Sequence, residues 1–202
     1  IAVDSVELLD VVIDVDGNTY SFKKIGEQVW MRQNLRVTHA PDSTDIDSYV
    51  YNNDTANALV FGRLYKWNVA MNGSKEEGAR GICPCGWHIP SDEEFKILEM
   101  YLGMSRQQAD LVNTWRGTPV GTSLKTGGDS GYDAKMAGRF LYGSYGYLNS
   151  WEYMWTSSEY NNDQAWRRCL STTDTRVGRY YTFGKDAGFS VRCVRDDESS
   201  EN

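Results

Sequence analysis

The 202-residue chain is 40% hydrophobic and 24% charged, with a net charge of −7 at neutral pH, a balance that suits one large folded domain and excludes a disordered chain. Its lysines and arginines are scattered, with Arg167-Arg168 the densest spot, so it lacks the basic footprint that nucleic acid or an anionic membrane surface demands. Apolar runs such as Ala58-Leu59-Val60-Phe61 are far too short to cross a bilayer.

The chain begins at Ile1 with no basic stretch ahead of an apolar one, and residues 1–10 are expected to be a segment left after removal of a leader. Residues 11–22 alternate apolar and polar on both sides of Asp16-Gly17-Asn18, which predicts a β-hairpin. Asp14, Asp16 and Asn18 do not form a calcium loop of the EF-hand kind, because Gly17 would be fourth in that loop rather than sixth. Residues 28–31 read as a further strand, and the polar stretch 37–55 as a long surface loop. Helical spacing of apolar residues predicts a helix over 61–71, stopped by Gly73.

Ser91-Asp92-Glu93-Glu94 has the pattern of a capping box and opens the clearest helix, with Phe95, Leu98 and Leu102 on one face and Gly103 at its end. Ser105 and Gln108 repeat the pattern for a second helix through about residue 115. Glycine is dense over 117–146, which predicts irregular loops. Four strands follow, at 153–156, 164–171, 179–183 and 189–195, separated by the turn-like Asn161-Asn162-Asp163 and Gly184-Lys185-Asp186. Residues 197–202 read as a solvated acidic tail. The expectation is a single α+β domain over 11–196, with an N-terminal hairpin, two central helices and C-terminal antiparallel strands.

Chemistry-bearing residues are few. Cys83-Pro84-Cys85 lies close to His88, one of only two histidines. Its one-residue gap is not the spacing of a structural zinc site, and it is not a Cys-x-x-Cys redox motif. No metal is therefore assigned. His39 falls in a polar loop and His88 beside Trp87, with no nucleophile elbow, so neither reads as a general base. Asp129 and Asp133 read as solvated loop acids, and no catalytic residue is assigned. Recognition is better represented. Residues 140–153 concentrate aromatics among Gly, Ser and Asn, a mixture that offers rigid contact area at low entropic cost. Tyr142, Tyr145, Tyr147 and Trp151 are the candidate ligand-binding residues, the alternative being that these rings fill the core.

The segments "DVDGNTYSFKKIGEQVWMRQNL", "FGRLYKWNVAM", "CPCGWHIPSDEEFKILEMYLG", "GTSLK", "MAGRF", "WTSSEY" and "GFSVRCVRD" occur in order. Together they resemble the Fibrobacter succinogenes major paralogous domain family. More loosely, "GWHIPS", "WTSSE" and "VRCVRD" look like the C-type-lectin-like fold class, which includes the formylglycine-generating enzymes. The resemblance implies an exported or surface-anchored bacterial protein, often a lipoprotein (periplasmic or secreted forms being the alternative), and no established activity. The expected role is non-catalytic binding or adhesion, with a glycan or extracellular protein as partner. An enzyme of the formylglycine-generating type and a structural fibre subunit are the alternatives. No cofactor is expected. Calcium has little support, since the lectin motifs Glu-Pro-Asn, Gln-Pro-Asp and Trp-Asn-Asp are missing. Four cysteines in an exported chain imply two disulfides. Cys83 and Cys193 match family positions, whereas Cys85 and Cys169 are additions to it. The pairing Cys83–Cys193 with Cys85–Cys169 follows, and the reverse pairing is the alternative.

Overall fold

The computed structural model describes residues 10–196; the expected leader remnant and acidic tail lie outside these, apart from Asp10. The expected hairpin is present. Strands β1 (Val11–Ile13) and β2 (Thr19–Ile25) pair antiparallel around a turn anchored by Asp14. Its Oδ1 accepts the amides of Asp16 and Asn18 at 3.0 and 2.9 Å, and its Oδ2 accepts the Tyr20 hydroxyl at 2.6 Å. Gly17 takes the positive φ that this turn requires. β2 then pairs with β3 (Gln28–Met31). The last strand, β10 (Val194–Asp196), joins β3 rather than the other C-terminal strands. The first sheet therefore runs β1-β2-β3-β10 and brings the two ends of the described chain together.

Cys83–Cys193 fastens this region, with a Cα–Cα separation of 6.1 Å across 110 residues of sequence. The second expected bridge does not form, and Cys85 and Cys169 are free thiols. Cys85 is exposed in the turn beyond Cys83, whereas Cys169 is buried in mid-strand in the second sheet.

Helix prediction from apolar spacing over 61–71 is corrected. Helices α1 (Ala56–Phe61) and α2 (Trp67–Ala70) flank an extended link. Gly62 ends α1 with a non-helical φ of 79°, and no side chain fits there because a Cβ would come within 2.7 Å of Asn34 and Leu35. Both capping boxes hold. Ser91 opens α3 (Asp92–Tyr101) and Ser105 opens α4 (Arg106–Ala109). The expected run of α4 to residue 115 fails, because Thr114–Arg116 forms strand β4 against the later β9 (Val177–Tyr180). The glycine-dense region is also more regular than predicted. It contains α5 (Val120–Leu124) and a hairpin of β5 (Arg139–Leu141) with β6 (Ser144–Gly146).

The second sheet has the order β4-β9-β8-β7, where β7 is Trp151–Glu159 and β8 is Ala165–Ser171. Side chains alternate between its faces, and the two faces differ in kind. Tyr153 and Trp155 enter one apolar cluster, while Met154, between them, enters the other. Arg168 and Arg179 are direct cross-strand partners on the second face, an arrangement of like charges that destabilises a sheet unless acids intervene. Asp92 and Glu99 supply the acids, seven residues apart on one face of α3. Asp92 Oδ1 accepts from Arg168 Nη1 at 2.7 Å, and Oδ2 from Arg179 Nη2 at 2.7 Å. Glu99 accepts from Arg168 Nε at 2.7 Å and from Arg116 Nη2 at 2.5 Å. Burial opposes the Asp92 charge, yet Arg168 and Arg179 hold its carboxyl well below the usual range.

Glu152 behaves in the opposite way. It is fully buried on β7, where it accepts the Asn34 side-chain amide at 2.8 Å and the Ala137 amide at 2.7 Å, and burial pushes its carboxyl up to about 7. The folded protein keeps this proton after the unfolded chain has released it. Stability is therefore lost as pH rises from the ordinary 4.5 through about 7. Glu152→Gln is predicted to gain melting temperature relative to the parent between about pH 5 and pH 8, and parallel pH profiles would refute the assignment. Glu99→Ala leaves three buried arginines facing Asp92 alone, and urea unfolding is expected to register a loss of roughly 3–5 kcal/mol.

Candidate functional site

On its other face the second sheet carries an aromatic cleft of ≈ 280 Å³. Its floor is one register row across four strands, Trp115–Gly178–Cys169–Tyr153. Large rings stand at both ends, and small residues occupy the middle. Gly178 is required there because a Cβ would lie 2.8 Å from the Tyr180 ring and 3.2 Å from Cys169 Cβ. The missing side chain at Gly178 thus makes room for the Tyr180 ring, which lies over the middle of the row.

The walls come from neighbouring segments. Tyr147 rises from the turn after β6 and Trp151 from the start of β7, and Thr182 and Phe183 follow β9. Tyr147 has φ 69°, an uncommon backbone for a bulky residue, and it is fixed because its carbonyl accepts the amides of Ser150 and Trp151, both at 3.0 Å. Trp151 lies parallel to Tyr153 with centroids 5.7 Å apart, and meets Trp115 edge-on at 5.2 Å.

Two arginines complete the cleft. Arg139 of β5 stands over the rings of Tyr147, Phe183 and Tyr153 at 4.9, 4.8 and 5.5 Å. Arg167 of β8 lies over Phe183 at 4.4 Å and Tyr180 at 5.3 Å. Arg167 is only 4% exposed. Its Nη2 donates to Thr182 Oγ1 at 3.3 Å, while Nε and Nη1 have no hydrogen-bond partner among the described residues. None of the described residues lining the cleft is acidic.

Of the four candidate residues, the structure brings Tyr147 and Trp151 into the cleft and separates the other two. Tyr142 is 84% exposed at the tip of the β5–β6 hairpin, where it and Gly143 both take positive φ. Tyr145 turns to the opposite side, packing on Tyr51 and Phe140 and donating to Asn53 Oδ1 at 2.8 Å. Sequence reading missed Trp115, Arg139, Arg167, Tyr153, Tyr180 and Phe183. The available signal was period-two alternation in "AWRRCLS" and "VGRY".

The remaining candidates have local roles. His88 Nε2 meets Glu94 Oε1 at 2.5 Å, and the sulfur of Cys83 is bonded to Cys193, so this stretch does not offer the ligand set of a zinc site. His39 lies between Asp16 and Asp45 at 2.5 and 3.1 Å. Asn161 Oδ1 accepts the amides of Asp163 and Gln164, which makes it a turn residue. Asp133 pairs with Lys135 at 3.2 Å, and Asp129 is exposed.

The fold and site define a mixed α/β domain, largely antiparallel, with an aromatic cleft on one sheet. The chain belongs to the Fibrobacter succinogenes major domain family, whose model matches residues 24–195. No curated protein and no solved structure matches it.

Burial pushes the Cys169 thiol up, with Arg167 offsetting part of the effect. A thiol reagent is therefore expected to modify Cys85 alone in the native protein and Cys169 only after unfolding. Labelling of native Cys85→Ser to one equivalent would contradict this placement.

Proposed function

We propose that the protein is a non-catalytic, exported binding module of the bacterial surface, and that its ligand is a glycan held in the aromatic cleft. The carrying observation is the cleft itself: an opening of ≈ 280 Å³ bordered by partly exposed rings, Tyr147 and Trp151 among them, on which a sugar ring can stack. Its volume is near the lower end of small-molecule sites, which run from roughly 300 Å³ upwards, and so suits one monosaccharide unit. Export is supported by the Cys83–Cys193 disulfide, a bond favoured in oxidising compartments, and by the lipoproteins that the family resemblance implies. A C-type-lectin-like fold is our finer reading of the antiparallel architecture. An oxidase of the formylglycine-generating type has less support, because only one thiol, Cys169, lines the cleft.

The test is a glycan array followed by calorimetry, with circular dichroism to verify folding. Tyr147→Ala and Trp151→Ala are expected to weaken binding by about tenfold or more, at about 1–3 kcal/mol per stacked ring. Tyr142→Ala and Tyr145→Ala, outside the cleft, are expected to leave it within about twofold, as distant surface changes do. Binding is expected to persist in a chelator, since no carboxylate among the described residues lines the cleft. Undiminished binding by the two cleft variants would reject the site, and assembly into fibres without ligand would favour a structural subunit.

A further inference from the structure

The cleft holds more positive charge than a site for neutral sugars needs. Two arginines line a space of ≈ 280 Å³ that has no described acidic residue in its lining, in a chain whose net charge is −7. The neighbouring arginines, Arg168 and Arg179, are each bonded to carboxylates on the other face of the same sheet. Arg139 and Arg167 instead rest on aromatic rings. Ring faces stabilise a cation without using its N–H donors. Burying the Arg167 donors Nε and Nη1 unpaired costs free energy that a hydrogen-bond acceptor would recover.

We infer that the cleft selects a carboxylate-bearing sugar, a hexuronate unit of an acidic polysaccharide, whose ring stacks on Trp151 while its carboxylate is held by Arg139 and Arg167. This inference rests on the proposed glycan-binding reading of the same site. Arg139, half-buried on β5, is the outer contact. Arg167 lies deeper, and a small turn of its guanidinium toward the cleft gives the carboxylate a charged N–H donor from Nε or Nη1, which lack partners among the described residues. Thr182 Oγ1 accepts from Arg167 Nη2, which leaves Nε and Nη1 as the donors for the ligand. The carboxylate also suits the site electrostatically, since charges at such short range are little screened while the repulsion of distant surface acids is cut off beyond about 8 Å at physiological salt.

The experiment compares trigalacturonate and triglucuronate with their methyl esters and with galactotriose, by calorimetry on the whole protein. The unesterified acids are expected to bind about tenfold more tightly than the esters or the neutral sugar, the usual gain from a charged hydrogen bond. Arg139→Gln and Arg167→Gln are expected to erase the preference for acid over ester, with Arg139→Lys retaining part of it. The ester comparison needs no variant, so it decides the matter even if Arg167→Gln fails to fold. Equal affinity for acid, ester and neutral sugar, abolished by Trp151→Ala, would overturn the carboxylate assignment and leave the glycan site standing. If neither the acids nor the neutral sugars bind, the glycan reading falls and the inference falls with it.

Discussion

Two carboxylates on α3, Asp92 and Glu99, hold three arginines of the second sheet in place, and the rest of the structure depends on that contact. Arg168 and Arg179 sit opposite each other across β8 and β9 and would repel. The helix turns this repulsion into an attachment. Desolvating five charged groups is expensive, so the arrangement is better understood as orienting helix against sheet than as a source of net stability. Phe95 and Leu98, on the same side of α3, supply the apolar burial that stabilises the contact.

The strand period connects this attachment to the site. Arg167 and Arg168 are adjacent in sequence, yet they face opposite sides of β8. One enters the ion network and the other enters the cleft. The same alternation separates Tyr180 from Arg179 and Trp115 from Arg116. A sheet clamped on one face by ion pairs presents a rigid opposite face, and a binding cleft benefits from that rigidity because less ordering is required when ligand binds. Gly178, by having no side chain, lets the Tyr180 ring lie against the sheet beside Cys169.

The elements most legible in the sequence were those fixed by local chemistry. The Asp14–Asn18 turn and the two capping boxes follow from side chains bonding nearby amides, and each was readable. Cys83–Cys193 followed from family resemblance, while the companion bridge failed because Cys169 belongs to the cleft floor and Cys85 to an exposed turn. Long-range pairing was not readable. Nothing local in residues 114–116 says strand, since β9 lies some sixty residues downstream, and β10 reads equally well as a strand of either sheet. Two of the ten described residues that line the cleft, Tyr147 and Trp151, were visible because aromatic density near them is a local feature. The arginines were not, because a charged residue in a strand does not reveal which face it occupies until the register is known.

The most direct test of the account is a titration of the seven tryptophan indole N–H resonances with trigalacturonate. Trp30, Trp67 and Trp155 donate their indole N–H groups to buried acceptors, Gln28 Oε1, Thr156 O and Tyr65 O. Trp115 and Trp151 line the cleft. The account predicts saturable shifts at Trp115 and Trp151, with the three buried indoles unmoved. Shifts confined to other tryptophans, or none at Trp115 and Trp151 under saturating ligand, would contradict it.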